Sequence, residues 1–146
     1  MNPLPEPELL ADADEAAEDA VYSALRAYNI DRFGPSDQKP LQIVLRDGEG
    51  NVIGGLTGET ARGWLFVKLL YVPEACRGRG LATRLLALAE EEARKRGCTG
   101  MQIDTMNPDA LRLYRRYGFE IAGTLGALKG GHTLTWLANR IDGAQS

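Results

Sequence analysis

The chain has 146 residues, a length that predicts a single domain over residues 1–146 with a sizeable hydrophobic core. Its formal net charge is −3 at pH 7, which argues against a nucleic-acid binder. No apolar run approaches the length of a membrane span, so we expect no membrane partner. The acidic, proline-rich start lacks the basic and apolar regions of a signal peptide. Two cysteines, Cys76 and Cys98, make neither a disulfide framework nor a metal cluster, and we expect a reducing, cytoplasmic setting.

The first part of the chain is acidic and contains one predicted helix. Residues 1–31 hold eight acids and one base, and residues 1–8 are expected to be extended or frayed. Apolar residues then recur at helical spacing and predict a helix over Asp14–Asn29. Phe33 to Asp37 is a predicted loop.

Three strands in an antiparallel meander are predicted next, over Leu41–Arg46, Val52–Thr57 and Trp64–Val72. The connection between the second and third strands is predicted to be Gly58–Gly63, and Gly54-Gly55 indicates a bulge or close packing. The third strand is almost entirely apolar, so we expect it to be central in the sheet.

A short stretch with two glycines joins the third strand to a predicted helix over Leu81–Arg96. Glycines let the backbone approach a ligand, and the first turn of a helix offers unpaired N–H groups. Arginines in and just after the stretch add positive charge and forked donors suited to phosphate oxygens. The stretch therefore predicts an anion site, with a pyrophosphate as the expected anion. It has the sequence Val72-Pro73-Glu74-Ala75-Cys76-Arg77-Gly78-Arg79-Gly80-Leu81-Ala82-Thr83, followed by Arg84.

The helix after this stretch is amphipathic. One predicted apolar stripe contains Leu81, Leu85, Leu88 and Ala89, and Ala82, Leu86 and Ala93 widen it. The opposite face is expected to be a solvated surface, because it carries three pairs of opposite charge at i,i+4 spacing. The pairs are Glu90–Arg94, Glu91–Lys95 and Glu92–Arg96.

The last part of the chain predicts a strand over Thr99–Thr105, parallel to the third strand because a helix connects them. Asn107 is a good N-cap for a following helix, which places Tyr114 on an apolar face and three arginines on the other. Two closing strands are predicted over Phe119–Leu125 and Thr133–Arg140.

Two motifs in these elements resemble the GCN5-related N-acetyltransferase (GNAT) superfamily. Arg-x-x-Gly-x-Ala at Arg77–Ala82 is similar to its acetyl-CoA pyrophosphate loop, and Asn107 to Phe119 is similar to its Asn-x-x-Ala…Leu-Tyr-x-x-x-Gly-Phe segment. The resemblance covers roughly Leu41 to Ile141. It implies a single-domain α/β (α+β) fold with a mixed, mostly antiparallel central sheet flanked by helices. An acyl-CoA cleft would lie between splayed parallel strands.

The resemblance also implies the site residues. Leu70 and Val72 would offer backbone groups to pantetheine, and the N–H near Leu70 would be the oxyanion donor. Tyr114 would be the general acid that protonates the departing thiolate, although its helix position alone favours an ordinary core tyrosine. The implied coenzyme-binding residues are Leu70, Val72, Arg77, Gly78, Arg79, Gly80, Leu81, Ala82, Thr83, Asn107, Ala110 and Tyr114.

The general base stays open. Related sequences often carry an acid near the middle of the third strand, where this chain has Lys68. A water chain without a single base is one alternative, and the carboxylate candidates are Asp104, Glu59, Asp31 and Glu120. His132, the single histidine, is expected at the surface or in the acceptor pocket. Cys76 is not expected to be a nucleophile, because a bound phosphate would cancel the activating effect of nearby arginines.

The predicted function is an acetyl-CoA-dependent N-acetyltransferase that acts on a primary amine of a small molecule or peptide by direct attack in a ternary complex. Two alternatives are a non-catalytic acyl-CoA-binding regulatory module and a different phosphate-ligand binder. A homodimer is compatible with the sequence, and no metal is expected. The helix end before the second strand usually helps to form the acceptor pocket in this superfamily, and the candidates there are Tyr28, Asn29, Arg32 and Phe33.

Overall fold

The computed structural model of the protein describes residues 3–142. Contacts divide the chain into two compact units, one ending at Ser36 and the other beginning at Asp37. Residues 3–8, part of the segment predicted to be extended or frayed, form no helix or strand and are exposed. Met1 and Asn2 lie outside the described residues. Within residues 3–142, no helix is both long and apolar enough to cross a membrane.

The first unit contains helix α1 (Glu15–Phe33). Asp14 begins it as predicted, because its side chain accepts hydrogen bonds from the backbone N–H groups of Ala16 and Ala17 at 3.0 and 3.2 Å. The predicted end at Asn29 was about one turn too early, and Phe33 belongs to the helix rather than to a loop. The helix ends where Gly34 adopts a φ of 84°, a conformation that favours glycine.

The second unit is built on a mixed sheet with strand order β1-β2-β3-β4-β6-β5. The β3–β4 pair is parallel and the other neighbouring pairs are antiparallel, which confirms the predicted fold class. β3 is an interior strand, as predicted. The elements of this unit are β1 (Lys39–Arg46), β2 (Val52–Ala61), β3 (Trp64–Tyr71), a 3₁₀ turn (Glu74–Cys76), α2 (Leu81–Lys95), β4 (Gly100–Thr105), α3 (Pro108–Tyr117), β5 (Glu120–Leu125) and β6 (Leu134–Arg140).

β2 is longer than predicted, and the Gly58–Gly63 connection was wrong. Gly58 to Ala61 continue the strand, and the turn consists of Arg62 and Gly63 at φ 50° and 81°. Gly58 serves close packing instead of a turn, because a Cβ there would collide with the backbone carbonyl oxygen of Phe66. The predicted close packing at Gly54 is confirmed, since its Cβ would lie 2.6 Å from the carbonyl oxygen of Tyr71.

β3 and β4 separate soon after they pair. Their register contains Trp64–Gly100, Leu65–Met101 and Phe66–Gln102, after which each strand continues without the other. The opening beyond Phe66 and Gln102 is called the β3–β4 gap below. β3 also carries a bulge at Lys68, because Thr57 pairs with Leu69 while the next residue of β2 pairs with Val67. The predicted divergence of the two parallel strands is thus confirmed.

Helices α2 and α3 pack on one face of the sheet, which is called the inner face below. Helical periodicity places Leu85, Leu86, Ala89 and Ala93 of α2 in the core. The predicted stripe was wrong at Leu88, which is 49% exposed, and the predicted placement of Leu86 on the apolar side is confirmed by its full burial. The other core residues are Leu41, Leu56, Leu65, Val67, Val72, Cys98, Met101, Ile103, Tyr114, Phe119, Leu137 and Ile141.

The three predicted ion pairs along α2 all form. Two of them are more than a solvated surface, which corrects the sequence-based expectation. The Arg94 guanidinium also donates to the carbonyl oxygen of Ile141 at 2.7 Å, and Arg96 donates to Oγ1 of Thr60 at 3.0 Å. Glu90 in turn accepts a 2.7 Å hydrogen bond from the hydroxyl of Tyr117. These bonds attach α2 to α3 and to the sheet.

Candidate active site

A cavity of about 510 Å³ lies between the C-terminal part of β3, the stretch Val72–Thr83 (called the glycine loop below) and α3. It lies where the β3–β4 gap opens on the inner face. The two segments that carry the sequence motifs therefore meet around one space. The lining residues are Leu70, Tyr71, Val72, Cys76, Arg77, Gly78, Gly80, Leu81, Ala82, Thr83, Asn107, Asp109, Ala110, Leu113, Tyr114 and Arg116.

The glycine loop owes its shape to two residues with positive φ, Gly78 at 80° and Gly80 at 78°. A Cβ at either position would meet no protein atom within 4 Å, so the backbone of both glycines borders open space. Gly80 is the N-cap of α2 and has no side chain with which to cap the helix. The N–H groups of the first turn are thus left for a ligand, beside the positive end of the helix dipole.

Arg77 is held in place at the edge of the cavity. Its Nε donates to the carbonyl oxygen of Val72 at 2.9 Å, and its guanidinium carbon lies 5.7 Å from the ring centre of Tyr71. Within residues 3–142, no carboxylate forms an ion pair with Arg77 or with the second lining arginine, Arg116. Two uncompensated guanidinium groups make this part of the cavity attractive to an anion.

The strand side of the cavity is the backbone of β3 beyond its paired part. Leu70 and Val72 both line the cavity, and they follow the bulge at Lys68. From Val67 onwards β3 has no β4 partner, so the strand edge that faces the gap offers backbone groups to a ligand.

Tyr114 lies on α3 with 5% of its surface exposed, and its ring packs edge-on against Phe119 at 6.0 Å. Burial raises the pKa of the Tyr114 phenol, and the negative charge of Asp104 raises it further. Among the described residues the hydroxyl has no hydrogen-bond partner, although it borders the cavity rather than being sealed in the core. It is therefore a protonated donor at neutral pH that is available to a ligand.

Asn107 has two functions at the opposite end of α3. Its side-chain oxygen accepts the backbone N–H of Asp109 at 2.9 Å, which confirms the predicted N-cap. Its own N–H donates to Oγ1 of Thr105 at 3.0 Å. In the described part of the chain its amide nitrogen has no partner, and the residue lines the cavity beside Ala110.

The structure thus brings together every predicted coenzyme-binding residue except Arg79, which lies between two lining glycines but is not part of the lining. Sequence reasoning missed five lining residues: Tyr71, Cys76, Asp109, Leu113 and Arg116. The helical period from Ala110 was a usable signal for three of them, because residues 109, 113 and 116 share a face with it.

The candidates for the general base do not line the cavity. Glu59 is already engaged, because its carboxylate lies 3.2 Å from Nζ of Lys68 and also accepts from the side chain of Gln38. Asp104 is exposed on β4, next to the β3–β4 gap, and Glu120 is on β5. The fourth candidate, Asp31, is on α1 in the first unit.

Other predicted residues lie apart from the cavity lining. His132 is exposed between β5 and β6, and its carbonyl oxygen accepts the N–H of Leu128 at 2.7 Å. The candidates for the acceptor pocket are on α1 in the first unit and stay predictions: Tyr28, Asn29, Arg32 and Phe33. Among residues 3–142, no group of three or more His, Cys, Asp or Glu side chains is arranged to hold a metal ion.

Comparison with known proteins identifies the family. The chain matches the model of the Acetyltransferase (GNAT) family over residues 7–119. An acetyltransferase of Agrobacterium fabrum is 60% identical over 129 residues, which cover 88% of this chain and 94% of that protein. Blasticidin-S acetyltransferase of Streptomyces morookaense is 39% identical over 106 residues, 70% of this chain and 76% of that protein. A crystal structure assigned to an acetyltransferase of Agrobacterium tumefaciens has a TM-score of 0.90 and 58% identity, covering 93% of this chain and 100% of that one.

The chain therefore belongs to the GNAT family, and it is an acetyltransferase. The resemblance indicated by the two motifs is confirmed. The family match begins at residue 7, so it also includes α1, for which the sequence offered no motif. Kinship with acetyltransferases favours an enzyme over a non-catalytic binding module.

Proposed function

We propose that the protein is an acetyl-CoA-dependent N-acetyltransferase that acetylates a primary amine of a small molecule or peptide by direct attack in a ternary complex. One observation carries the proposal: the glycine loop, the free edge of β3 and Tyr114 surround a single cavity. Transfer of an acetyl group from a phosphorylated thioester coenzyme requires three features. They are an anion site for the phosphates, a strand edge for the coenzyme arm and a proton donor for the thiolate.

In this proposal the pyrophosphate of acetyl-CoA binds the glycine loop. The N–H groups at the start of α2 and the guanidinium of Arg77 are its donors, and Gly78 and Gly80 let the phosphates approach the backbone. Arg79, which is outside the lining, adds charge at a longer range. The pantetheine arm follows the free edge of β3 at Leu70 and Val72 and passes Asn107 and Ala110 on the other side.

The transfer step joins the amine nitrogen to the acetyl carbonyl carbon and breaks the carbon–sulfur bond. The neutral amine attacks, and the N–H at Leu70 stabilises the oxyanion of the tetrahedral intermediate. As the intermediate collapses, the Tyr114 hydroxyl protonates the departing thiolate. The nitrogen loses a proton to water, and Tyr114 regains one from solvent. The products are the N-acetyl amine and CoA thiol, and no covalent enzyme intermediate is needed.

A small-molecule acceptor is supported by one relative. The Streptomyces morookaense protein is named for blasticidin-S, and it is 39% identical to this chain. The two free thiols, Cys76 and Cys98, support a reducing compartment such as the cytoplasm. Cys76 lines the cavity, but the mechanism does not use it.

The proposal is tested by measuring release of CoA thiol from acetyl-CoA with a panel of primary amines. We expect release to depend on the amine and to match the amount of N-acetylated product found by mass spectrometry. Acetyl-pantetheine is the matched control, because it keeps the thioester but lacks the pyrophosphate. Equal affinity for the two thioesters would contradict the role of the glycine loop. Failure of every amine to accept acetyl would contradict the transferase proposal itself.

A further inference from the structure

The face of the sheet opposite α2 and α3, called the outer face below, carries side chains that the proposed chemistry does not use. Residues that are direct partners in neighbouring strands point to the same face. Phe66 is the partner of Gln102, and Asp104 is the partner of Trp136. The residues that alternate with these four are buried in the core: Leu65, Met101, Ile103 and Leu137. Hence Phe66, Gln102, Asp104 and Trp136 belong to the outer face.

Two of these residues, Phe66 and Asp104, border the β3–β4 gap, and Trp136 lies next to Asp104 on the far side of β4. Phe66 is in the last β3–β4 pair, and Asp104 lies two residues beyond the other member of that pair, about 7 Å further along β4. Trp136 lies beside Asp104 on β6. After burial, the negative charge of Asp104 also raises the pKa of the Tyr114 phenol.

The charges around the gap favour a cation. Asp104 is exposed, and no lysine or arginine among the described residues forms an ion pair with it. Glu59, the other carboxylate on this part of the outer face, is already paired with Lys68 at 3.2 Å. Asp104 is therefore the carboxylate at the gap that a positively charged ligand would meet.

The apolar side chains at and next to the gap include two aromatic rings. Phe66 is 38% exposed and Trp136 is half-buried, so each presents part of its ring to the outer face. Aromatic rings pack favourably against other flat rings, and the face of a ring also attracts a cation. A saturated group of equal size would bury as much apolar surface against these rings, but it would not gain the stacking interaction.

We propose that Asp104, Trp136 and Phe66 form the acceptor site and that its ligand is a primary ammonium group attached to a flat, unsaturated ring. The inference rests on the proposed function, because it assumes that the coenzyme occupies the cavity on the inner face. The amine then approaches from the outer face and meets the thioester in the β3–β4 gap. Asp104 holds the ammonium form at the gap, and the amine attacks after it has lost a proton to water.

The native enzyme tests the ring requirement with two matched amines, 2-phenylethylamine and 2-cyclohexylethylamine. They have the same linker and similar bulk, but only the first has a flat ring. We expect kcat/KM to be ~10-fold higher for 2-phenylethylamine, in line with one stacking contact. Equal kcat/KM for the two amines would overturn the inference.

Variants test the charge and the ring separately. We expect Asp104→Asn to raise KM for 2-phenylethylamine by ~10-fold while kcat and acetyl-CoA affinity change little. Glu120→Gln is the matched control, because Glu120 lies on the same face but two strands away, on β5, and its loss should leave KM unchanged. Trp136→Leu should remove the preference for the flat ring, and Phe66→Leu serves the same purpose if the first variant does not fold. An unchanged KM in Asp104→Asn would overturn the site.

Amine binding in the presence of CoA, measured by calorimetry, separates this inference from the proposed function. The site is supported if the native enzyme binds 2-phenylethylamine more tightly than its cyclohexyl analogue and if Trp136→Leu loses this preference. This result would support the site even if no acetyl group is transferred. Turnover of both amines with no preference in binding or rate contradicts the acceptor site alone. An enzyme that fails to bind acetyl-CoA contradicts the proposed function instead.

Discussion

The two faces of the sheet are built from different kinds of group. On the inner face the cavity is formed largely by backbone: two glycines with positive φ, the start of α2 and the unpaired edge of β3. On the outer face the side chains of Phe66 and Asp104 border the β3–β4 gap, and Trp136 lies beside Asp104, so the three come from three strands. A site made of backbone groups in special conformations requires particular residues at fixed spacing, so it can be recognised as a sequence motif. A site made of side chains that strand pairing brings together has no such motif, because its residues are far apart along the chain.

The largest expected effect is at the glycine loop. Gly80→Leu should weaken acetyl-CoA binding by ~100-fold, equivalent to losing about two hydrogen bonds to charged groups at ~1.5 kcal/mol each. The new side chain would enter the open space where the phosphates are proposed to bind. Isothermal calorimetry with acetyl-CoA measures the change.

Gly97→Leu is its control. Gly97 has a φ of 79°, almost the same as the 78° of Gly80, and no protein atom lies near its Cβ position. Both variants should lose about 1–2 kcal/mol of unfolding free energy to backbone strain, but only Gly80→Leu should lose coenzyme affinity. If both variants bind acetyl-CoA equally well, the inner-face cavity does not bind the pyrophosphate.

The next effect concerns the proton donor. Tyr114→Phe should lower kcat by ~100-fold under conditions where chemistry limits turnover, while acetyl-CoA affinity stays near wild type. Because burial and then Asp104 raise the pKa of this phenol above 10.0, the donor stays protonated through neutral pH. The alkaline decline in kcat that it causes should lie above pH 10 and be absent from the variant.

Tyr117→Phe removes a hydroxyl about one helical turn away and provides the comparison. That hydroxyl donates to Glu90 at 2.7 Å, so its loss should cost about 1 kcal/mol of unfolding free energy and leave kcat near wild type. Chemical denaturation and steady-state kinetics measure the two quantities. If Tyr114→Phe keeps the wild-type kcat, Tyr114 is not the proton donor and contributes only to packing.

A smaller effect is expected where α2 is attached to the rest of the inner face. Arg94→Met removes the hydrogen bonds to Glu90 and to the carbonyl oxygen of Ile141 and should cost ~1 kcal/mol of unfolding free energy. Lys95→Met breaks an ion pair whose side chains are 67% and 64% exposed, and it should change stability by less than ~0.5 kcal/mol. If urea unfolding shows that both variants lose the same unfolding free energy, Arg94 contributes no more to stability than an ordinary surface charge.

The smallest effect is expected at Lys68 on the outer face. Lys68→Met should change the unfolding free energy by ~0.5 kcal/mol or less, because the lysine side chain is 60% exposed and its ion pair with Glu59 is screened by solvent. We also expect kcat to stay within about twofold, because within residues 3–142 Asp104, unlike Glu59, has no ion pair at the gap. A large fall in kcat would instead indicate that the Lys68–Glu59 pair takes part in the reaction.

Sequence patterns predicted the framework of the sheet and most of the residues that line the cavity on its inner face. The mixed sheet, the parallel β3–β4 pair, the glycine loop and the cap at Asn107 were all predicted, because each depends on local periodicity or on a residue with a special conformation. Errors occurred where packing overrides local preference. Gly58 was taken for a turn although it allows close approach of two strands, and Leu88 was placed in the core although helix geometry exposes it.

Only the tertiary structure decided which charged groups are available. The sequence offered four carboxylates as equal candidates for the base, and it presented the arginines of α2 as a uniform solvated face. Strand register pairs Glu59 with Lys68 and leaves Asp104 open at the β3–β4 gap, beside Trp136. Whether a charge is paired depends on neighbours that are distant along the chain, and these are brought together only when β2, β3, β4 and β6 assemble into one sheet.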